Sequence, residues 1–356
     1  GGSVDCGPDY KDVVEETAIS GAADPAWIGF TDVYWLGAMI PQSGAGLSTG
    51  FRSLGNDLFR ADMIYNPTTL RPGRQITRTS RVFAGAKESG VLDLYQDQGI
   101  SQFGLAIDWG WFRWFEKPIL WLLRQIFSVV GNFGVAIILL TCIVRGLMFP
   151  IAQKGFSSMA SMKAIQPEMK KLQEKHKDDK VTQQQEMQKL FKERGVNPVA
   201  GCLPMILQIP VFFALYKVLV LAIEMRHQPF ILWIKDLSAP DPAHVLNLFG
   251  ALPFEVPGML AIGPLALLLG FTMWLTFRLN PAAMDPVQQQ VFSIMPWVLM
   301  FVMSPFAAGL LLYWNTSNLL TLAQQKYLYS KHPQLREAAD RERAEKAAKA
   351  QSESKA

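Results

Sequence analysis

Residues 132–150, NFGVAIILLTCIVRGLMFP, decide how this chain is read. All but a few are apolar, and one is Arg145. A helix of this length, rising ~1.5 Å per residue, crosses the ~30 Å hydrocarbon core of a bilayer. An arginine inside such a helix costs at least ~2.5 kcal/mol to insert, so Arg145 either escapes to an interface or faces protein and water. It lies five residues before Pro150, within snorkelling reach of the helix end, and on spacing alone that reading stands level with a buried functional role. Thr141, one turn away at i−4, shares its face. The two together make a polar stripe and favour a wet cavity.

Outward from this run, the composition is that of a polytopic membrane protein. The chain has 356 residues, half of them hydrophobic, with a formal net charge of +4. Long uncharged runs alternate with lysine-rich ones. Three cysteines are too few for a disulfide framework. Cys142 and Cys202 fall in apolar segments as small packing residues, and Cys6 has no partner outside the membrane. The four histidines are scattered with no metal-ligand spacing, and nothing in the chain calls for a cofactor.

Residues 1–105 read as a partial β-sandwich. The runs Trp27–Phe30, Val33–Ile40 and Leu58–Tyr65 are separated by Gly, Pro and Asn turn signals, and 75–84 alternates in places. Residues 107–127 mix four tryptophans with Arg113, Glu116, Lys117 and Arg124, the pattern of an amphipathic helix lying at the interface and broken at Gly131. After the span 132–150, residues 151–198 predict a helical hairpin outside the bilayer. Its first helix carries an apolar stripe at Met159, Met162, Ile165, Met169 and Leu172, and Pro167 kinks that helix or marks its true start. Thr182 and Gln185 form a capping-box pattern for the second. Further spans are predicted at 199–223, 259–279, 291–304 and 306–323, followed by a basic tail at 331–356.

The fold expected is therefore an α-helical polytopic membrane protein. It has five transmembrane helices, an interfacial helix and a hairpin, with a β-rich domain in front and 106–330 as the membrane core. Lys plus Arg number ten in the hairpin, eight in the tail from Lys326, and two in the loop 224–257. The positive-inside rule puts hairpin and tail in the cytoplasm and the loop outside. Residues 1–127 then lie outside as well. An exported domain needs a targeting element, so a signal-anchor helix is expected upstream of the Gly-Gly-Ser that opens the sequence.

Three polar side chains fall at similar depth in three of these spans. Arg145 is ~8 Å, Asn318 ~10 Å and Gln208 ~14 Å from the cytoplasmic end. Such groups need each other or water, or else pair dryly between helices. Trp314, beside Tyr313, is placed to line the same cavity. Met295, Met300 and Met303 are core packing or a pliable surface that accepts many sequences.

GVAIILLTCIVRGLMFP, MKAIQPEMKKLQEK, NPVAGCLPMILQIPVFFALYKVL, PFILWIKDLSAPDP, MDPVQQQVFSIMP and GLLLYWNTSNLLTLAQQ together resemble the YidC/Oxa/Alb family of membrane protein insertases over roughly 105–330. GFTDVYWLGAMIP within 27–105 resembles the periplasmic domain of Gram-negative members. The resemblance implies an inner-membrane protein with a hydrophilic groove, open to the cytoplasm and to lipid, that uses no catalytic residue. Arg145 matches the family's groove arginine. Client membrane proteins would pass their short outer tails through the groove. Their hydrophobic segments would leave for the bilayer along 199–223 and 291–323, over Leu203, Pro204, Ile209, Pro210 and the three methionines. Hairpin and tail are the surfaces on which a Sec translocon, a ribosome or a targeting factor would dock, and no other nucleic-acid contact is implied. Lys217 stands where the family usually has an uncharged residue. The competing class is a transporter or channel, which predicts paired midplane charges and inverted repeats. Neither is evident. An intramembrane enzyme is remote, since no span carries Asp or His.

Overall fold

The computed structural model describes residues 9–42, 44, 46–110, 113–176, 179–195, 203–254, 256–257, 260–279 and 286–331. Within these, a few side chains, among them Met159, Met162, Leu203 and Pro204, lie outside the description. The chain divides into two compact units, Gly1–Trp114 with Val220–Arg226, and Phe115–Leu219 with His227–Ala356.

The first unit opens with helix α1 (Tyr10–Glu16) and continues into strands β1 (Ala18–Ala23), β2 (Ile28–Thr31), β3 (Trp35–Pro41), β4 (Leu47–Gly55), β5 (Leu58–Tyr65) and β6 (Ser80–Ala86). These form two three-stranded antiparallel sheets, β1-β4-β5 and β2-β3-β6. The apolar runs named above lie in β2, β3 and β5. Strand β3 buries Leu36, Ala38 and Ile40 and turns Trp35 and Gly37 outward, the period-two pattern of a half-buried strand. Phe30 of β2 meets Phe51 of β4 at 5.7 Å, so the two sheets touch through aromatic rings. Strands β1 and β4 are not legible in the sequence, because β1 is nearly all Ala, Ser and Gly and β4 is more than half Ser, Thr and Gly.

Helix α2 (Ser89–Asp97) and a 3-10 turn at Phe103–Ala106 complete this core, with Phe103 edge-on to Trp27 and Phe83. Lys87 is 5% exposed and donates to Thr31 Oγ1 at 2.9 Å and to the Ala106 carbonyl at 3.3 Å. Burial pushes its ammonium below the ordinary lysine value, against the pull of Asp32 and Asp108. Arg226 lies over the Tyr34 ring at 4.7 Å, a cation–π contact.

The second unit is helical. Helix α3 (Arg113–Val130) ends where Gly131 takes a left-handed φ of 66°, and α4 (Phe133–Ala164) begins at once. Helix α4 does not stop at Pro150 as expected. It runs on through the proline, because losing one backbone hydrogen bond bends a long helix without ending it. Phe133–Gly155 is the one helix among the described residues long and apolar enough to cross a membrane, and only 22% of its apolar window is buried. A core helix of a water-soluble fold would be mostly covered, whereas this one leaves most of its apolar surface open. Shorter apolar helices occupy Ile206–Leu221, Pro264–Arg278 and Gln290–Met303.

The hairpin is α5 (Gln166–Lys175) and α6 (Lys180–Glu193). Pro167 sits in the first turn of α5 and marks its true start, where its missing N–H costs nothing. Ile165, Met169 and Leu190 form its own small core, and Arg194 bridges Glu168 at 2.6 Å. The cap of α6 is Asp179 rather than Thr182. Its carboxylate accepts from the Val181 and Thr182 amides and the Thr182 hydroxyl, and these bonds hold it below the usual carboxylate range, led by the hydroxyl. Helix α7 spans Leu203–Leu221, α8 Pro264–Leu279, α9 Pro286–Met303 and α10 Ala308–Lys331. Pro210 and Pro296 lie inside α7 and α9.

Close approach in this unit depends on glycine at Gly134. A Cβ there would lie 2.0 Å from the Phe230 ring, whose backbone carbonyl also accepts from Asn132. Gly134→Ala is therefore expected to destabilise the protein by ~1–3 kcal/mol, the usual cost of overpacking. Thermal unfolding in detergent checks this, and an unchanged midpoint would show that the ring yields freely.

A second expectation concerns Asp236. Burial opposes its charge, but hydrogen bonds from Ser238 and His227 outweigh burial and hold its carboxyl below the ordinary value of 3.8. A depressed folded value gives stability that is fully present above the unfolded value and lost as pH falls through the folded one. Below pH 3.8, the unfolding midpoint of the wild type should therefore drop more steeply than that of Asp236→Asn. Parallel curves would sink the assignment.

Candidate functional site

Three helices bring the polar side chains together. Arg145 is half-buried on α4, and its Nε and Nη2 donate to Ser317 Oγ on α10 at 3.0 and 2.5 Å. One turn earlier on α10, the Tyr313 hydroxyl accepts from Gln208 Nε2 on α7. Tyr313 is 1% exposed and lies near enough to Arg145 to feel its charge. Gln208 Oε1 is buried with no hydrogen-bond partner among the described residues. Phe212 of α7 meets Trp314 edge-on at 5.1 Å, beside these pairs.

The chemistry of this cluster is electrostatic. Arg145 has no carboxylate within ion-pair distance among the described residues, and a neutral hydroxyl is its partner. A hydroxyl satisfies donors without neutralising charge. The charge therefore has no neutralising partner among the described residues, and it sits in surroundings less polar than water, where attraction to an anion is stronger. No three His, Cys, Asp or Glu side chains gather to hold a metal among the described residues.

Other sequence-named residues take different places. Thr141 is 1% exposed, and its hydroxyl bonds to the Ile137 carbonyl of its own helix at 2.6 Å. Asn318 turns to α8 and donates to Thr272 Oγ1 at 3.1 Å. With Asn315, which donates to the Leu265 carbonyl at 2.9 Å, it forms a buried polar seam between α8 and α10. Depth along a helix placed Asn318 near Arg145, but azimuth decides contact. Ser317 and Thr272 were not named from sequence. Ser317 had a signal, since it is i+4 from Tyr313 and so shares its face.

Met300 and Met303, expected on a client-facing surface, are buried at 6% and 5% exposure. Met300 packs where Gly270 of α8 leaves room for it. The outward face of α9 is instead Ile294, Trp297, Val298 and Phe301, with Met295 half-buried. On α7, Ile209 and Phe213 are exposed and Pro210 is half-buried. Cys142, expected as a packing residue, is exposed.

Comparison with known proteins bears on this arrangement. A family profile described as 60 kDa inner membrane protein matches residues 125–335, and one described as YidC periplasmic domain matches 7–122. A membrane protein insertase YidC of Agrobacterium fabrum is 46% identical over 326 residues, 91% of this chain and 54% of the relative. The same-named protein of Zymomonas mobilis is 46% identical over 344 residues, 96% of this chain and 59% of the relative. The chain thus spans little more than half the length of these relatives. A crystal structure described as an active YidC insertase with its first transmembrane domain resolved gives a TM-score of 0.48 at 19% identity, covering 86% of this chain and 78% of that one. It is too distant to add to what the sequence relatives establish. With near-half identity over nine-tenths of its length, the chain belongs to the YidC family of 60 kDa inner membrane proteins.

Proposed function

We propose that this chain is the working core of a membrane protein insertase, holding no chemistry of its own and lowering the cost of carrying a short polar tail across a bilayer. The observation that supports this is Arg145, half-buried between α4 and α10 and held by a hydroxyl rather than a carboxylate. A polar client tail entering hydrocarbon loses its water, and a positive charge in a polar groove offsets part of that loss for an acidic tail. The relatives named membrane protein insertase YidC support the same reading.

In this reading five helices, α4, α7, α8, α9 and α10, cross the inner membrane, with the hairpin and tail in the cytoplasm and residues 1–127 on the periplasmic side. The charge distribution supports that orientation. Domain limits of 1–105, 106–330 and 331–356 belong to the same reading. Arg145, Gln208, Tyr313 and Trp314 receive the tail, while Thr141 and Asn318 shape the helices around it. Client hydrophobic segments leave over the exposed faces of α7 and α9, including Ile209, Ile294 and Trp297, with the half-buried Pro210 and Met295 at their margins; Leu203 and Pro204, at the start of α7, belong to the same reading. Clients and lipid are the primary partners, and a Sec translocon or ribosome would meet the hairpin or tail.

The charge is testable in proteoliposomes with one small client made in acidic-tail and neutralised-tail versions. Arg145→Ala should cut insertion of the acidic version by about tenfold, equivalent to ~1.4 kcal/mol, and leave the neutral version near wild type. Arg145→Lys should keep most activity, because charge and reach matter more here than the planar fork. Equal loss on both clients would make Arg145 structural, and full activity on both would leave it a snorkelling side chain.

Ser317 separates charge from contact. Ser317→Asp hands Arg145 a carboxylate at the same position, so acidic-tail insertion should fall as it does in Arg145→Ala. Ser317→Asn keeps a neutral partner and should keep activity. If the Asp and Asn variants behave alike, the free charge is not what clients feel.

A further inference from the structure

Between α7 and α8 the described residues make no regular helix longer than one turn, yet they show large apolar groups to solvent. Ile231 and Leu232 stand exposed at a first turn, and Leu246, Leu248, Phe249 and Phe254 at a second. Leu232, Leu248 and Phe249 hold left-handed backbone at φ 53°, 51° and 60°. Each costs ~1–3 kcal/mol in a non-glycine residue, and nothing inside the fold rewards an exposed side chain for it.

The second turn pairs much of its backbone within itself, and the first is closed by the Phe230 and Ile234 amides on the Ile234 and Ile231 carbonyls. Amides of Ile234, Val245, Leu248, Phe249, Ala251, Leu252 and Phe254 donate to carbonyls of the same loop or its base at 2.8–3.2 Å. Pro253 and Pro257 have no amide hydrogen to place. No lysine or arginine occurs between Lys235 and Arg278, and Glu255 lies outside the described residues. Apolar side chains over a backbone that turns most of its hydrogen bonds inward, with no lysine or arginine among them, suit hydrocarbon. A protein partner imposes no such rule, since interfaces supply hydrogen bonds and water.

One buried carboxylate fixes both turns to the membrane helix. Asp241 is 1% exposed. Its Oδ1 accepts from Trp233 Nε1 at 3.0 Å and from the Ala243 amide at 3.1 Å, and its Oδ2 accepts from the Leu265 amide at 3.1 Å. A carboxylate at the start of α8 also meets the positive end of that helix. Gly263 makes the approach possible, because a Cβ there would lie 2.4 Å from Asp241 Cγ.

We propose that these two turns form a paired lipid anchor, dipping into the acyl-chain region of the leaflet around the start of α8, with Asp241 as the clamp that sets their depth. This rests on the membrane placement of α4 and α8 argued above.

The test uses the full chain with Cys6, Cys142 and Cys202 replaced by serine. One new cysteine at a time, Leu232→Cys, Phe249→Cys, Lys235→Cys or Leu139→Cys, carries an environment-sensitive nitrobenzoxadiazole probe in phosphatidylcholine–phosphatidylglycerol vesicles. Probes at 232 and 249 should emit at shorter wavelength, lose intensity to nitroxide-labelled acyl chains and resist iodide, with the 235 probe behaving oppositely. Iodide quenching at 232 and 249, with the 139 probe still quenched by lipid, overturns the anchor and leaves the membrane reading intact. Resistance of 232 and 249 to both quenchers also overturns it, in favour of a protein-covered loop. Iodide quenching at 139 as well removes the membrane placement, and the anchor with it.

Discussion

A guanidinium in a largely apolar helix must find polar partners or be driven out, and in this chain α10 supplies them. That helix serves three neighbours at once. Tyr313 and Ser317, one turn apart, answer Gln208 of α7 and Arg145 of α4. Asn315 and Asn318, three residues apart on another face, answer the Leu265 carbonyl and Thr272 of α8. Between helices as apolar as these each such bond satisfies a group that apolar neighbours would leave unpaired, so the polar faces of α10 help fix which helices stand beside it. The apolar surfaces, alike from helix to helix, could not choose neighbours so specifically.

The two halves of α10 differ in kind. Toward α8 the bonds are between neutral groups and are buried, which locks two helices together. Toward α4 one partner is a charge that the hydroxyl contacts but does not neutralise. Structure and function therefore separate on one helix by azimuth. A substitution of Asn315 acts on the packing of α8 against α10, and one of Ser317 acts on the partner of the Arg145 charge.

How much of this was legible follows from the same distinction. Hydropathy marked α4, α7, α8 and α9, and the charge inside an apolar run marked Arg145, because these signals depend only on position along the chain. Asn-Thr-Ser-Asn at 315–318 points around most of a helical turn, so composition could not say which residue would meet which neighbour. The same limit exchanged Ile294 and Trp297 for Met300 and Met303 on the open face of α9. In the β-rich unit, β2, β3 and β5 carried apolar runs, whereas β4, the centre of its sheet, is held by two partner strands and needs few large side chains. The α6 cap was misread by three residues, since a carboxylate accepting two amides and a hydroxyl outcompetes a threonine.

The interior prolines have a mechanical consequence. Pro150, Pro210 and Pro296 each lack an amide hydrogen, so the carbonyls four residues earlier, at Gly146, Ile206 and Phe292, lose their rung in α4, α7 and α9. Helices α8 and α10 have no proline beyond the first turn and share the polar seam. The group formed by α4 and α7–α10 thus has one stiff pair and three compliant rods, and Pro118 removes a rung from α3 as well. Its elasticity is concentrated in the helices that bear Arg145, Gln208 and the outward face of α9, so the space among them can change width without loading the seam.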